Sequence, residues 1–392
     1  MSIMNNRMPF AASFTTPCIE LSLDNLLHNL EQIRSRLPST VQCMPVIKDS
    51  AYGCGSAPIA AFLEQNGIKH FAVARCTEAR FLRDKGILSP ILVLGECTLD
   101  EIVWGIKNDI RFSLNDIGSL PKFIDAQSPV YLHCNIDTGM GRLGVLPSEI
   151  NEVIRIVQSH PSLIIEGLYT HFASADVPHT DTVAFQRRLF ENACTLFEQA
   201  GIRPEYIHTA NSAGILRFPE KRSTLVRPGI ILYGCNPDPT QKFDISLKPV
   251  VTLKGHVVKL KKVPAGIAIS YGGNYVTGQE TTIATISVGY AHGVPRLLSN
   301  RGEILLQGKR YTIAGNVTMD YCMVDCGSTT SIREGDEAVV MGSQGKEFIS
   351  PDEIAAQCGT IGYEILCGLS TSVDRYVIGN NKVIHHIKPY VI

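Results

Sequence analysis

At 392 residues the chain is too long for one ordinary core and suits a large domain of about 250 residues plus a smaller one. Its 36 Lys and Arg against 37 Asp and Glu leave a net charge of -1, which encodes no general pull toward nucleic acid or an anionic membrane surface. No run of about 18 apolar residues and no basic start leading into an apolar stretch occurs, so the expectation is a cytoplasmic protein acting on a small molecule.

Residues 1–14 read as a flexible tail. Ser22 then precedes Leu23, Leu26, Leu27, Leu30, Ile33 and Leu37, the spacing of a capped helix with one apolar stripe. Short apolar runs follow at regular intervals: CMPVIKD (43–49), HFAVAR (70–75), ILVLGE (91–96), IRFSLND (110–116), VYLHCNID (130–137), LIIEGLYTHFA (163–173), EYIHTAN (205–211) and TLVRPGIILYG (224–234). The segments between them read as helices. The clearest runs from Asp181 to Ala200, with an apolar face of Val183, Phe185, Leu189, Phe190, Ala193, Leu196 and Phe197 and a stop at Gly201. Eight such units within about 210 residues fit a closed (β/α)8 barrel over residues 15–245 better than an open doubly wound sheet. From 246 to 392 the helical pattern gives way to runs such as VVTLKGHVVKLKKV and TTIATISVGYA, which predict a β-rich C-terminal domain. FTTPCIELSL, near the N-terminus, is a candidate extra strand of that domain. The twelve cysteines read as small buried hydrophobes. Cys322 and Cys326 lack a second pair at metal-ligand spacing, and His385 and His386 sit in a polar tail, so no metal site is expected.

Barrel enzymes build their sites at the C-terminal ends of the strands. On this reading Lys48 closes the first strand, Arg142 sits in the Gly-rich loop after the fifth and His171 closes the sixth. Asn211 and Ser212 follow the seventh, and Arg227 and Gly229 lie on the eighth. Singly, each has an ordinary alternative: a strand-end lysine covering apolar surface, a satisfied core histidine, a surface ion-pair arginine. Together they converge on one mouth, where a lysine among arginines is suited to covalent capture of a carbonyl, because neighbouring positive charge and desolvation free its amine.

Eight segments in order along the chain carry a resemblance to a known family: VIKDSAYGCG (46–55), IDTGMGRLGV (136–145), GLYTHFASAD (167–176), HTANSAGIL (208–216), VRPGIILYG (226–234), SVGYAHGVPR (287–296), AGNVTMDYCMVD (314–325) and IGYEILCGLS (361–370). The chain resembles the alanine racemases, barrel-type enzymes dependent on pyridoxal 5'-phosphate. The resemblance implies that Lys48 bonds the cofactor, that Tyr52, Ser212, Gly229, Ile230 and Tyr363 hold its phosphate with Asn211 beside them, and that His171 packs near its ring. It further implies that Arg227 faces the pyridine nitrogen, that Arg142 binds the cofactor phenolic oxygen and the substrate carboxylate, and that Met319 and Tyr363 line the substrate. Lys48 and Tyr290, the latter from the partner subunit of a homodimer, are implied as the two acid/base groups that interconvert L- and D-alanine for D-alanine and peptidoglycan-precursor synthesis. Three positions depart from the family pattern: Cys54 and His292 stand for a histidine and an aspartate, and Asn135 for a lysine that is often carbamylated. A small anion such as chloride beside Arg142 is the expectation for that missing charge. The alternatives are a racemase of other small or polar amino acids such as serine, and a non-catalytic pyridoxal-phosphate carrier. A decarboxylase on the same fold is disfavoured, because its glycine-rich phosphate loop and C-terminal cysteine donor are missing from the sequence.

Overall fold

The computed structural model describes residues 16–177, 181–218, 222–238, 240, 241 and 243–388. The expected N-terminal tail lies outside the described residues. By contacts the chain divides into two compact units, one of Asn29–Leu232 with Pro237–Leu247, the other of the residues up to His28, Tyr233–Asn236 and those from Lys248 onward.

The N-terminal strand β1 (Cys18–Ser22) leads into a helix at Leu23–Arg34, and Ser22 Oγ caps it by accepting from Asn25 N at 3.2 Å. The first unit then adds β2 (Gln42–Cys43), β3 (Phe71–Val73), β4 (Ile91–Val93), β5 (Ile110–Leu114), β6 (Val130–Asn135), β7 (Leu163–Tyr169), β8 (Tyr206–His208) and β9 (Leu225–Val226). β3 to β8 form a continuous parallel sheet in sequence order, and β2 pairs with β9. Two seams complete the ring. Ile47 N donates to Ala72 O at 2.9 Å beside the Val46–Ala72 bridge, and Arg227 N donates to Ala210 O at 2.9 Å. The unit is a (β/α)8 barrel.

The first and last strands are shorter than their sequence runs. Lys48 lies five residues beyond β2, His171 two beyond β7, and Arg227 and Gly229 just after β9 rather than on it. Pro45 and Pro228 are the cause, because neither has an N–H for the ladder. Their carbonyls still accept from Ala72 N and Val46 N at 3.0 and 2.9 Å, so the chain stays alongside its neighbours without pairing as a strand. The run after Gly229 is a 3-10 turn, Ile230–Tyr233. The long amphipathic helix spans Thr182–Gln199 and ends at Gly201, φ +78°. Its buried face differs from the expected one: Phe185 is 51% exposed beneath the Arg188 guanidinium, whereas Gln186 is fully buried.

The second unit is strand-rich. β10 (Val251–Val263) is its longest strand and alternates buried and half-exposed side chains along its first half, as one-sided burial requires. β11 (Ala268–Ile269) and β12 (Tyr275–Val276) make a small ribbon. The main sheet adds β13 (Thr281–Ile286), β14 (Glu303–Leu306), β15 (Lys309–Thr312), β16 (Cys322–Asp325), β17 (Glu337–Gln344), β18 (Glu347–Ile349), β19 (Asp374–Gly379) and β20 (Lys382–Ile387). β1 belongs to this sheet, antiparallel to β10 with Ile19 opposite Leu253 and parallel to β19. No helix among the described residues is long and apolar enough to cross a membrane. Ten of the twelve cysteines are buried.

Candidate active site

Beyond β2 the backbone makes an unusual turn. Asp49, Ser50, Ala51 and Tyr52 all have φ between +51° and +57°, a left-handed turn of non-glycine residues that starts at Lys48. Such residues cost about 1–2 kcal/mol each, so the surroundings must fix them. Glu78 does much of this. Its carboxylate accepts from Asp49 N at 2.6 Å and from Ala74 N and Arg75 N at 2.9 Å each, while Arg75 Nη2 reaches Asp49 Oδ1 at 2.9 Å. The turn sets Lys48, half-buried, at its start and Tyr52, buried, at its end.

Tyr52, Ser212 and Gly229 meet. Ser212 Oγ accepts from Gly229 N at 3.0 Å, and a Cβ on Gly229 would lie 2.6 Å from the Tyr52 hydroxyl. Only glycine leaves room for that hydroxyl. Two hydroxyls, a backbone N–H and the start of the Ile230 turn thus form a cradle of hydrogen-bond donors, suited to a phosphate. Asn211 shapes it from behind as a helix cap, its Oδ1 accepting from Gly214 N at 2.9 Å.

His171 marks where the cations converge. Burial, then Arg227, Arg142 and Lys48, drive its imidazole down to about 3, so it is neutral at ordinary pH. The loop carrying it is clamped by Gln186, whose amide donates to His171 O at 3.0 Å and Thr138 Oγ1 at 3.1 Å and accepts from Ala173 N at 2.9 Å. Arg227 is 3% exposed. Nη1 donates to His208 Nδ1 and His208 O at 2.7 and 2.8 Å, and Nη2 to Thr170 O and Thr209 O at 2.8 and 2.9 Å. Burial lowers it to about 10, opposed by Tyr169 and aided to a lesser degree by Arg142, so it remains a cation. Arg142 is exposed, and among the described residues no hydrogen bond or ion pair holds it. Asn135, which stands for the family's lysine, donates to Asn115 Oδ1 at 2.9 Å and Leu143 O at 3.0 Å.

In the strand-rich unit, Tyr290 and Met319 are brought together by backbone. Tyr290 N donates to Thr318 O and Ala291 N to Met319 O, both at 3.0 Å. A Cβ on Gly289 would sit 2.3 Å from Thr318 O, so the two loops touch only because that residue is glycine. His292, one of the departures, accepts from Gly289 N through Nδ1 at 3.0 Å, and burial lowers its pKa, which favours this neutral acceptor form. Tyr290 borders a cleft of about 500 Å³ with Arg296, Thr360 and Glu364. Tyr363 is half-buried in the first turn of the adjoining helix, Gly362–Cys367, behind the exposed Ile361.

Three residues that organise the barrel site escaped the sequence reading: Glu78, Gln186 and His208. The available signal was a polar residue at a position that periodicity or strand alternation turns inward. Gln186 fits the buried helix face, and His208 alternates inward with Tyr206.

Residues 21–237 match the family described as alanine racemase, N-terminal domain, and residues 250–377 match alanine racemase, C-terminal domain. Alanine racemase of Carboxydothermus hydrogenoformans is 40% identical over 364 residues, covering 92% of this chain and 98% of that protein. The structure of alanine racemase from Bacillus anthracis with bound L-Ala-P is similar at a TM-score of 0.89 and 35% identity, covering 95% of this chain and 97% of that one. Alanine racemase of Clostridium difficile 630 in complex with cycloserine is similar at a TM-score of 0.88 and 32% identity, covering 96% and 99%.

Proposed function

Because the chain belongs to the alanine racemase family, whose members are isomerases, we propose that it interconverts L- and D-alanine with pyridoxal 5'-phosphate bonded to Lys48. The two proton carriers are Lys48 and Tyr290 of the partner subunit, which makes a homodimer the working unit. The observation that carries this reading is the gathering of Lys48, Arg142 and Arg227 around a neutral His171, beside a cradle of Tyr52, Ser212 and Gly229 that a single Cβ would fill. A cradle of hydroxyl and backbone N–H groups among cations fits a phosphate-bearing cofactor.

Pyridoxal phosphate, when bound, draws electrons from the substrate Cα and makes its proton acidic. The Tyr52 and Ser212 hydroxyls and the N–H groups of Gly229 and Ile230 would hold its phosphate, joined by Tyr363, and Asn211 keeps Ser212 in place. Arg227 would donate to the ring nitrogen and keep its own proton, since a guanidinium held at about 10 does not surrender it near neutral pH. With the proton kept by Arg227, the ring nitrogen would draw less charge from the substrate, which would favour returning a proton to Cα over side reactions. Arg142 and the backbone N–H of Met319 would orient the substrate carboxylate. Lys48 Nζ moves the proton on one face, and the Tyr290 hydroxyl moves it on the other. Phenol titrates near 10 unperturbed, so cationic neighbours are needed to make it a base.

The test is borohydride treatment of the purified protein, peptide mapping, and a racemisation assay run from each enantiomer. A reduced cofactor adduct on Lys48 together with turnover of alanine in both directions is the expected result. An adduct on another lysine, or turnover of serine well above alanine, would overturn the assignment.

A further inference from the structure

Four barrel positions place ionisable side chains end to end. Arg227 Nη1 is 2.7 Å from His208 Nδ1, His208 Nε2 is 2.8 Å from His133 Nδ1, and His133 Nε2 is 3.2 Å from Glu166 Oε2. Arg111 closes the far end, with Nε 3.1 Å from Glu166 Oε2 and Nη2 3.3 Å from Oε1. The two ends dictate the direction of every bond between them. A guanidinium only donates, so His208 Nδ1 accepts and its proton sits on Nε2. His133 Nδ1 must then accept in turn, and its proton sits on Nε2, facing a carboxylate that only accepts. No other arrangement satisfies all three bonds, and neither imidazole can carry a second proton without breaking one.

Electrostatics agrees with this order. Burial pushes both histidines down, His208 furthest. Burial pushes Glu166 up, but bonds from His133 and Arg111 outweigh it and keep the carboxyl below its ordinary value. Packing fixes the rings as well. Gly167 faces His133 across β6 and β7, and a Cβ there would lie 2.4 Å from His133 Nδ1. His133 stacks on Tyr206 and His208 on Tyr169, the latter with centroids 4.8 Å apart and planes at 6°. Arg227, although buried, has no carboxylate among its hydrogen-bond partners within the described residues. The negative charge that this chain of bonds connects to it is Glu166, two imidazoles away.

We infer that Glu166 is a positioning residue for racemisation, accepting the last proton of the chain and so acting through His133 and His208 to hold Arg227 as an oriented guanidinium. The catalytic consequence rests on the proposed placement of Arg227 at the cofactor ring nitrogen; the proton order does not. Bonded chains of this kind polarise cooperatively, which lets a carboxylate act on an arginine it does not touch.

The test is long-range proton–nitrogen NMR of the full chain with 15N-labelled histidine, without and with pyridoxal phosphate, with signals assigned by His133→Gln and His208→Gln. Both histidines of the wild-type protein are expected as the Nε2–H tautomer in the cofactor-free chain. Glu166→Leu leaves the buried His133 Nε2–H without its acceptor, although Arg227 still orders the two rings, and should broaden or shift the His133 nitrogen signals and lower kcat by about ten- to a hundred-fold with little change in KM, the loss typical of a misplaced group remote from the chemistry. Glu166→Gln, which keeps an acceptor oxygen, should restore the wild-type signals and most of kcat. An Nδ1–H tautomer at either histidine in the wild type overturns the inference even where Glu166→Leu fails to fold. So does a folded Glu166→Leu protein with unaltered kcat. Because the tautomers are read without cofactor, a failed borohydride mapping at Lys48 would overturn the functional reading and leave this result standing on its own.

Discussion

Arg227 in the barrel is almost wholly buried, and its guanidinium meets three carbonyls and two imidazoles, those of His208 and His171, at hydrogen-bond distance. Tyr290 in the strand-rich unit is 43% exposed, and what fixes it is its backbone, joined to the Thr318–Met319 loop across Gly289. The contrast follows from what each residue is assigned to do. A group that tunes charge needs desolvation, because only in a low dielectric do its neighbours act strongly on it. A group that carries a proton to a substrate needs an open side chain on a rigid support. One region therefore couples function to folding stability, and the other separates them.

The contrast can be broken by paired substitutions. Arg227→Met would leave three carbonyls and the His208 and His171 imidazoles without their donor and should destabilise the fold, read as a lower urea midpoint, since each buried acceptor left unsatisfied costs about 1–3 kcal/mol. Tyr290→Phe should leave stability within about 0.5 kcal/mol yet slow proton abstraction from L-alanine by about 10² to 10⁴. If Tyr290→Phe unfolded as readily as Arg227→Met, the separation of the two roles would be wrong.

Gly289→Ala probes the support of Tyr290. Its new Cβ meets backbone oxygens at 2.3 and 2.4 Å, which cannot swing aside as a side chain does, so a cost of about 1–3 kcal/mol is expected along with a loss of turnover. Turnover equal to that of the parent protein would show that the staple does not position Tyr290.

A smaller effect is graded with pH. His171 sits at about 3 in the fold, and an unfolded histidine titrates near 6.5. Between those values the unfolded chain binds a proton that the folded chain refuses, so stability is fully present above the unfolded value and falls as pH drops, by about 1.4 kcal/mol per unit for each such group. His133 and His208, also buried in the barrel, are shifted in the same direction. Urea midpoints at pH 7, 6 and 5 should fall progressively, and His171→Gln should flatten the slope. A midpoint independent of pH would contradict a neutral buried His171.

The parts legible in the sequence were those written in periodicity and punctuation. The helix at Thr182–Gln199 shows as a 3.6-residue pattern stopped by Gly201, and the barrel shows as eight apolar runs separated by helices. Strand ends were less legible, because Pro45 and Pro228 stop pairing while the chain continues in the same direction. Phe185 misled because an isolated exposed aromatic looks the same in sequence as a core one. Lys48, His171 and Arg227 were legible as polar groups near the C-terminal ends of strands, although Lys48 and His171 were expected to close their strands and Arg227 to lie on the eighth, and all three fall beyond them. Glu78 was not, since its role is to accept from Asp49, Ala74 and Arg75 across a turn that exists only once the chain is folded. The order from Arg227 to Glu166 was hidden for the same reason: it depends on four separate chain segments meeting inside the barrel.

The central claim, that two different residues serve opposite faces of alanine, is tested most directly by solvent-deuterium exchange at Cα, started separately from L- and D-alanine, in the parent protein and in Tyr290→Phe. The parent should exchange both enantiomers. Tyr290→Phe should keep exchange into D-alanine, through Lys48, and lose it from L-alanine. Equal loss from both enantiomers would contradict a division of labour between Lys48 and Tyr290.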